Sequence, residues 1–444
     1  MNLRFGIIAD DLTGANDSGI QLKEKGLATS VYFEVPEDSG ELEEAIVIDT
    51  DSRALTRSEA YDATKSAAQF LYQKGYHTIY KKMDSTIRGH IGEELKAIED
   101  VIHPTFIVVA PAFPPYGRTT KNGVHLLHGQ PISETEISKD PKHPVTTDHL
   151  PTLIKDETGR EAALITEEIL HADHEQWLEY LDDLKSKGVK YLVADAANEE
   201  DLTAMAERMH DYSSQIVWAG SAGLAEVLPK VLGMESSPQP QGKQRAAGPV
   251  LTVCGSLSQT TQAQVQYASR QKGVESIIVD TEEIFTDKWQ NALEGYVQSC
   301  IDAFNKGQDA VLYVPSTQEV RESVKKRAAD LGLDSLAVGK RVSQALGAVT
   351  KQVLEEQINL HSLVLTGGDT AKDVAKCLGA TGFKLNYQLE AGIPAGELLG
   401  TERSIQVVTK AGAFGTESSI YQAMKKLKGE PNHEQKTDHR YHYG

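Results

Sequence analysis

Cysteine is scarce in this chain, with three in 444 residues. Cys254, Cys300 and Cys377 lie far apart and form no CxxC pair, which argues against a thiolate zinc site and for a reducing compartment. Long apolar runs are missing as well. Met1-Asn-Leu-Arg-Phe5 lacks the apolar stretch of a signal peptide, and no segment approaches the length that spans a bilayer. The expectation is a cytoplasmic protein with no membrane partner. Basic residues are outnumbered, 45 Lys and Arg against 64 Asp and Glu, for a net charge of −19. Such a chain suits neither nucleic acid nor anionic lipid. His90, His103, His125 and His128 show no HExxH-type spacing and read as structural or solvent-facing. No GxxxxGK followed by Ser or Thr is present, and no GxGxxG, so neither a Walker A loop nor a standard dinucleotide fingerprint is available.

What is present is ordinary globular composition, 40% hydrophobic and 25% charged, on a chain long enough for two domains. Phe5–Ala9 is a short apolar run that ends in Asp10 and Asp11, and a helix is predicted from Thr13 to Lys25. Two carboxylates thus stand where a strand hands over to a helix, the edge at which open α/β sheets bind ligands. They could accept hydrogen bonds from a polyol, hold a metal or take a proton; equally, Asp10 could simply end the strand and Asp11 cap the helix. Strands are predicted at Ser30–Val35, Ala45–Ile48, Thr78–Tyr80 and Phe106–Ala110, with a helix over Ser58–Lys74. This alternation predicts a parallel sheet with crossover helices. The strand ends carry Asp49-Thr-Asp-Ser-Arg53, Lys81-Lys-Met-Asp-Ser-Thr-Ile-Arg-Gly-His90 and Pro111-Ala-Phe-Pro-Pro-Tyr-Gly-Arg-Thr-Thr120, and in a parallel sheet they share one edge.

The segment 81–90 is the densest in chemistry. Lys81, Lys82 and Arg88 flank Asp84, Ser85 and Thr86, with Arg53 and Arg118 on neighbouring strand ends. A cationic cluster on so acidic a chain points to an anionic ligand, since arginine offers a fork to carboxylate or phosphate. The plainer alternative is a solvated strand end with an internal salt bridge between Asp84 and a lysine. Residues 117–144 read as an irregular loop with a hairpin, and Asp140–Pro144 within it could cover a site. Regular alternation then resumes: helix His174–Lys187, strand Tyr191–Ala194, helix Ala197–Tyr212, strand Ile216–Ala219, and a small-residue turn at Gly220–Ala225.

The domains are predicted at 1–233 and 249–428, joined by a Ser/Pro/Gln/Gly-rich linker at 234–248 and followed by a disordered tail at 429–444. In the second domain a strand, a glycine-bearing turn and a helix occur three times. Val250–Val253 leads into Cys254–Thr261, Leu363–Thr366 into Gly367–Thr370, and Ile405–Thr409 into Lys410–Gly415. Glycine turns let backbone N–H groups converge, and a helix N-terminus adds positive partial charge, so three of them suggest a phosphate cradle. Further strands are predicted at Ile277–Val279 and Ala310–Val314.

With these residues in view the chain resembles the four-carbon acid sugar kinase family. The pieces that carry the likeness are ADDLTGANDSG at 9–19, DSR at 51–53, KKMDSTIRGH at 81–90, PAFPPYGRTT at 111–120, GSLSQTT at 255–261, GGDTA at 367–371 and KAGAFG at 410–415. The resemblance implies an α/β protein of two domains, each a largely parallel sheet flanked by helices, with the ligand cleft between them. It implies phosphorylation of threonate, erythronate or an oxo-tetronate on the terminal hydroxyl to the 4-phosphate, with ATP and Mg²⁺. Carried over, the sugar-acid residues would be Asp10, Asp11, Arg53, Lys82, Asp84, Ser85 and Arg88. The nucleotide residues would be Ser258, Gly367, Gly368, Asp369, Thr370 and Gly412. The family often has Ser and Asn where this chain has Ala411 and Ala413, so backbone contacts are expected there in place of side-chain ones. Asp84 or Asp11 is the expected base, and Asp369 or an aspartate of the N-terminal domain could help hold Mg²⁺. A homo-oligomer is left open. The competing readings are a sugar-acid lyase or dehydratase working through 81–90, which leaves the three glycine turns unexplained, and a non-catalytic sugar-acid sensor.

Overall fold

The computed structural model describes residues 4–37, 40–140, 143–234 and 248–429. The predicted linker, apart from its end residues, and the predicted tail beyond Gly429 lie outside them. The chain divides into two compact units on either side of the 235–247 segment.

In the N-terminal unit β1 (Phe5–Ala9), β2 (Thr29–Tyr32), β3 (Ala45–Asp49), β4 (Thr78–Lys82), β5 (Phe106–Ala110), β9 (Ala162–Ile165), β10 (Tyr191–Ala194) and β11 (Ile216–Gly220) form a sheet in the order β2-β3-β1-β4-β11-β5-β10-β9. Every pairing along it is parallel. The central strands β1, β3, β5 and β11 are buried throughout, which is why they read as continuous apolar runs rather than as alternation. Helices α1 (Leu12–Glu24), α2 (Arg57–Gln73), α3 (Ile91–Ile102), α4 (Leu150–Thr158), α5 (Glu167–Leu170), α6 (His174–Ser186), α7 (Glu199–Tyr212) and α8 (Ala222–Val231) accompany it. Leu71 of α2 and Leu95 and Ile98 of α3 join Ile8, Ile48, Ile79, Ile107 and Val217 in one core. Local chemistry marks the helix starts: Asp11 caps α1, Thr56 and Glu59 make a capping box on α2, and Asn198 caps α7. The predicted hairpin region holds three short antiparallel strands, β6 (Arg118–Lys121), β7 (Val124–Leu127) and β8 (Gln130–Pro131). Its Asn122-Gly123 turn is pinned by Asp195, whose carboxylate accepts both backbone N–H groups at 2.7 and 2.9 Å.

The C-terminal unit repeats the plan with β12 (Val250–Cys254), β13 (Val274–Ile278), β14 (Asp309–Tyr313), β15 (Ser362–Thr366), β16 (Gly382–Glu390), β17 (Ile393–Leu399) and β18 (Gln406–Lys410), in the order β13-β14-β12-β15-β18-β17-β16. The first five run parallel; β16–β17 and β17–β18 are antiparallel. Helices α9 (Gln259–Ser269), α10 (Trp289–Asn305), α11 (Gln318–Asp330), α12 (Ser335–Glu356), α13 (Gly368–Cys377) and α14 (Ser419–Leu427) complete it. The β16–β17 hairpin escapes a sequence reading because Gly392, Pro394 and Gly396 interrupt its pattern. Helix α11 buries only Ala328, so no apolar stripe announces it. No described helix is long and apolar enough to cross a membrane.

One buried pair corrects the expectation for the 81–90 cluster. Successive strand residues face opposite sides of a sheet. Lys81 and Lys82 therefore part company: Lys81, 1% exposed, forms an ion pair with Glu94 of α3 at 3.2 Å, while Lys82 lies on the α1 side near Gly14. Ser52 donates a short hydrogen bond to the same Glu94, which ties the 49–53 segment to β4 through α3. Breaking one member of a buried pair strands the other charge, at a cost of about 3–5 kcal/mol, whereas replacing both with apolar residues is often neutral. Glu94→Ala should therefore lower the denaturant midpoint of the N-terminal unit substantially. The double change Lys81→Met with Glu94→Leu should recover most of the loss. Equal losses in both variants would show that the polar contacts of this pair contribute net stability, and that a stranded charge is not what the single change costs.

Candidate active site

The carboxyl ends of β1, β3, β4 and β5 share one edge, as parallel pairing requires. There Arg53 spans both predicted aspartates. Its Nε and Nη2 donate to Asp10 Oδ2 at 2.9 and 2.8 Å, and its Nη1 to Asp11 Oδ2 at 2.9 Å. Its backbone N–H also reaches the Asp10 carbonyl at 3.2 Å. Asp11 is at once helix cap and site residue, since its Oδ1 accepts the Gly14 N–H at 2.8 Å. Burial pushes Asp11 above the usual carboxylate range, with Arg53 pulling the other way. Asp10 is 1% exposed, and its Oδ1 is buried without a hydrogen-bond partner among the described residues. An acceptor left open in this way fits a ligand hydroxyl.

Gly14 is needed here for its missing side chain. A Cβ at this position would stand 2.7 Å from both Asp11 Oδ1 and Lys82 Nζ. Lys82 donates to the Met83 carbonyl at 2.8 Å and has no carboxylate ion pair among the described residues. One helical turn further along α1 is Asp17, which the sequence reading passed over. Burial raises it to about 6, against the pull of Lys82. No motif spacing marks Asp17; only its place on the Gly14 face of the helix could have done so.

Asp84 has a different character from Asp11. Thr86 donates a short bond to it, and Arg88 reaches it through Nε at 2.7 Å and Nη2 at 3.4 Å. Burial alone would raise its carboxyl, but Arg53 and these bonds hold it well below the usual range. Arg88 also pairs with Asp140 at 3.0 Å, so the predicted covering segment does touch this loop through its first residue. Ser85 is half-buried, and its carbonyl accepts from His125 Nε2 at 2.8 Å. His125 is a structural histidine, its ring pushed down to about 4 by burial. Arg118 stands at the start of β6, and its Nε is buried without a partner among the described residues. The loop also stores strain: Ile87, a β-branched residue, has φ 55° and a buried side chain.

In the C-terminal unit β12, β15 and β18 are adjacent and parallel, so their three turns open on one edge. They also interlock. Ser258 caps α9 and donates to the Gly412 carbonyl at 2.5 Å, and Thr261 Oγ1 donates to the same carbonyl at 2.9 Å. A Cβ at Gly412 would lie 2.5 Å from Ser256 Oγ, so a side chain here would force Ser256 to turn away. Gly367 has φ 92° and donates to the Lys410 carbonyl at 2.8 Å. As the N-cap of α13 it brings no side chain to the first turn, and Gly368, Asp369 and Thr370 follow at once. A helix start without a capping side chain is a ready anion seat. Among the described residues no three His, Cys, Asp or Glu side chains are arranged to hold a metal. Mg²⁺ carried by phosphates needs only one or two carboxylates, and Asp369 stands in the first turn of α13. The structure thus brings the predicted residues together as two sets, one per unit. Gly14, Asp17, Thr261 and Lys410 are neighbours that the motifs alone did not single out.

Comparison with known proteins matches this division. Residues 5–228 fit a family model described as a sugar-binding N-terminal domain, and 251–420 one described as a nucleotide-binding C-terminal domain. A D-threonate kinase of Salmonella typhimurium is 32% identical over 426 residues, 95% of this chain and 98% of the relative. A D-erythronate kinase of Heliobacterium modesticaldum is 28% identical, covering 92% and 93%. A 3-oxo-tetronate kinase of Pectobacterium atrosepticum is 27% identical, covering 96% and 99%. A Haemophilus influenzae protein of known structure shares the fold with a TM-score of 0.77 at 27% identity, over 95% of this chain and all of that one. The fold and the two edges define an α/β kinase with separate sugar and nucleotide modules. The chain belongs to the four-carbon acid sugar kinase family.

At Gly367 a side chain would face an unfavourable φ and would stand at the open N-terminus of α13. Gly367→Val should weaken ADP binding by roughly tenfold or more, equivalent to about 1.4 kcal/mol. Titration calorimetry on the folded variant reads this directly, and native ADP affinity would show that the α13 start does not meet the nucleotide.

Proposed function

We propose that this kinase transfers the γ-phosphoryl group of ATP to the terminal hydroxyl of a four-carbon sugar acid, yielding the 4-phosphate, with D-threonate the first substrate to test. The observation that carries the reading is the convergence of three glycine turns on β12, β15 and β18 in one unit, together with an edge built from aspartates and cations in the other. A lyase or a sensor would have no use for the former.

In the N-terminal unit Asp10, Asp11 and Arg53 hold hydroxyl groups, with the open Asp10 Oδ1 as acceptor. Lys82, Ser85 and Arg88 hold the carboxylate end. Arg53 and Arg88 are each paired with two aspartates, whereas Lys82 and Arg118 make no carboxylate ion pair among the described residues; of these two, Lys82 stands on the α1 side beside Asp11. In the C-terminal unit Ser258, Gly367–Thr370 and Gly412 hold the nucleotide. Mg²⁺ would travel with the phosphates, with Asp369 or an N-terminal aspartate as its protein ligand, and would offset charge on the transferring group. Of the two candidate bases Asp11 suits the work better. Asp84 is held ionised by Arg53, Arg88 and Thr86 and so resists taking a proton, whereas burial makes Asp11 more basic.

Asp11→Asn should cut kcat by roughly 10²–10⁴, the usual worth of a general base. A base must be ionised to act, so wild-type kcat/KM should fall as pH drops through the raised Asp11 value, above the ordinary carboxylate range near ~4. A coupled ADP-release assay with D-threonate across pH measures both effects; near-native turnover in the variant would remove Asp11 from the role. Lys82→Met tests how the acid is recognised. Truncating one side of a buried charge pair costs about 2–5 kcal/mol, so kcat/KM for D-threonate should drop by orders of magnitude. The corresponding tetritol, lacking the carboxylate, should be a poor substrate that loses far less. Equal losses would mean that Lys82 shapes the site without reading the charge.

A further inference from the structure

Lys410 ends β18 and is 3% exposed. Its ammonium reaches four oxygens: the carbonyls of Ala411 at 2.8 Å, Gly412 at 3.2 Å and Phe414 at 3.0 Å, and Thr261 Oγ1 at 3.3 Å. Three of these belong to the loop that follows it. In a planar trans peptide the N–H points opposite to the C=O. Drawing those carbonyls onto one buried cation therefore turns the N–H groups of Gly412, Ala413 and Gly415 the other way. None of the three donates to a protein acceptor among the described residues. Ala411 and Ala413 carry no side-chain donor, so the loop has only this backbone to offer a phosphate.

We propose that Lys410 is a positioning residue for the nucleotide, its ammonium holding the 411, 412 and 414 carbonyls inward so that the 412, 413 and 415 N–H groups meet a phosphate. This rests on the reading of the three turns as the nucleotide cradle. The groups that face the ammonium are few. Cys254 on β12 is pushed up to about 12 by burial and stays a thiol at neutral pH; Glu390 is on β16; α9 presents Thr261 and β15 presents Thr366, which do not titrate. Burial lowers Lys410 itself to about 8, with Cys254 and Glu390 opposing. The arrangement is thus sensitive to pH where ADP is not, because the phosphates are already ionised.

ADP affinity of the full chain, by calorimetry, should weaken about tenfold between pH 7.5 and 9, since one pH unit above the titration only ~10% of the lysine keeps its charge. The melting temperature of the ligand-free protein should not fall in parallel. Lowered in the fold, Lys410 contributes to stability in the opposite sense, least favourably below about 8 and better as pH rises. Lys410→Met should bind ADP at least tenfold more weakly at pH 7.5 and lose the alkaline dependence, with D-threonate binding unchanged. A pH-independent wild-type affinity together with native ADP binding by Lys410→Met would overturn the proposal. If Gly367→Val loses ADP while that result holds, the cradle stands and only the role of Lys410 falls; if Gly367→Val also binds normally, the cradle reading falls too. Should Lys410→Met fail to fold, Lys410→Gln takes its place: native ADP binding by that variant overturns the proposal, and a loss of tenfold or more with D-threonate binding unchanged supports it.

Discussion

Arg53 is the group on which the N-terminal edge depends. Two adjacent aspartates at the end of a buried strand repel each other and lose hydration, and one guanidinium offsets both. Its planar fork suits the task, since a point charge on a flexible stem could not bond two carboxylates with three directed donors. Arg53 is in turn set by what lies behind it. Asp51 takes a left-handed φ of 51°, and Ser52 is anchored to the buried Glu94–Lys81 pair. A chain of polar contacts thus runs from the core of α3 and β4 to the surface of the site. Of the two adjacent lysines, Lys81 is the one that supports the scaffold.

The two units order their candidate sites by different means. The N-terminal edge uses side-chain charge and carries its own counter-charges, so that Arg53 and Arg88 are already paired before any ligand arrives. The groups left over among the described residues are an aspartate oxygen with no donor, a lysine with no carboxylate ion pair and an arginine Nε with no acceptor. The C-terminal edge uses backbone. Ser258, Thr261 and Lys410 all converge on the Gly412 carbonyl, fixing the loop from its inner side. Backbone N–H groups so held need no reorganisation to stabilise charge, which is what phosphoryl transfer asks of a protein.

Strain accompanies this order. Ile87 has no local reason to adopt φ 55°, and such a conformation costs about 1–3 kcal/mol in a non-glycine residue. It persists because the side chain is buried in the core while the flanking Asp84 and Arg88 are bonded to each other. The result is a loop that presents Arg88 and Gly89 beside Asp10 and Arg53 without a regular element beneath it.

Much of this was legible in the chain itself. The apolar run Phe5–Ala9, the cap at Asp11, and the strand–glycine–helix repeats are local matters, decided by residues within one turn of one another. Parallel topology follows from their alternation, and with it the grouping of strand ends on one edge. Motif resemblance then assigned the two halves. The sequence alone could not say which charges pair, because pairing joins residues distant in the chain: Arg53 to Asp10, Lys81 to Glu94, Arg88 to Asp140. Nor could it separate Lys81 from Lys82, whose neighbours are the same but whose faces of the sheet are opposite. Lys410 reads as one more basic residue before a glycine loop, and only the folded unit buries it among four oxygens. Local periodicity and turn chemistry act over a few residues and survive in the sequence as pattern. Burial, pairing and proton affinity depend on what the rest of the chain brings to a point, and the tertiary structure decides them.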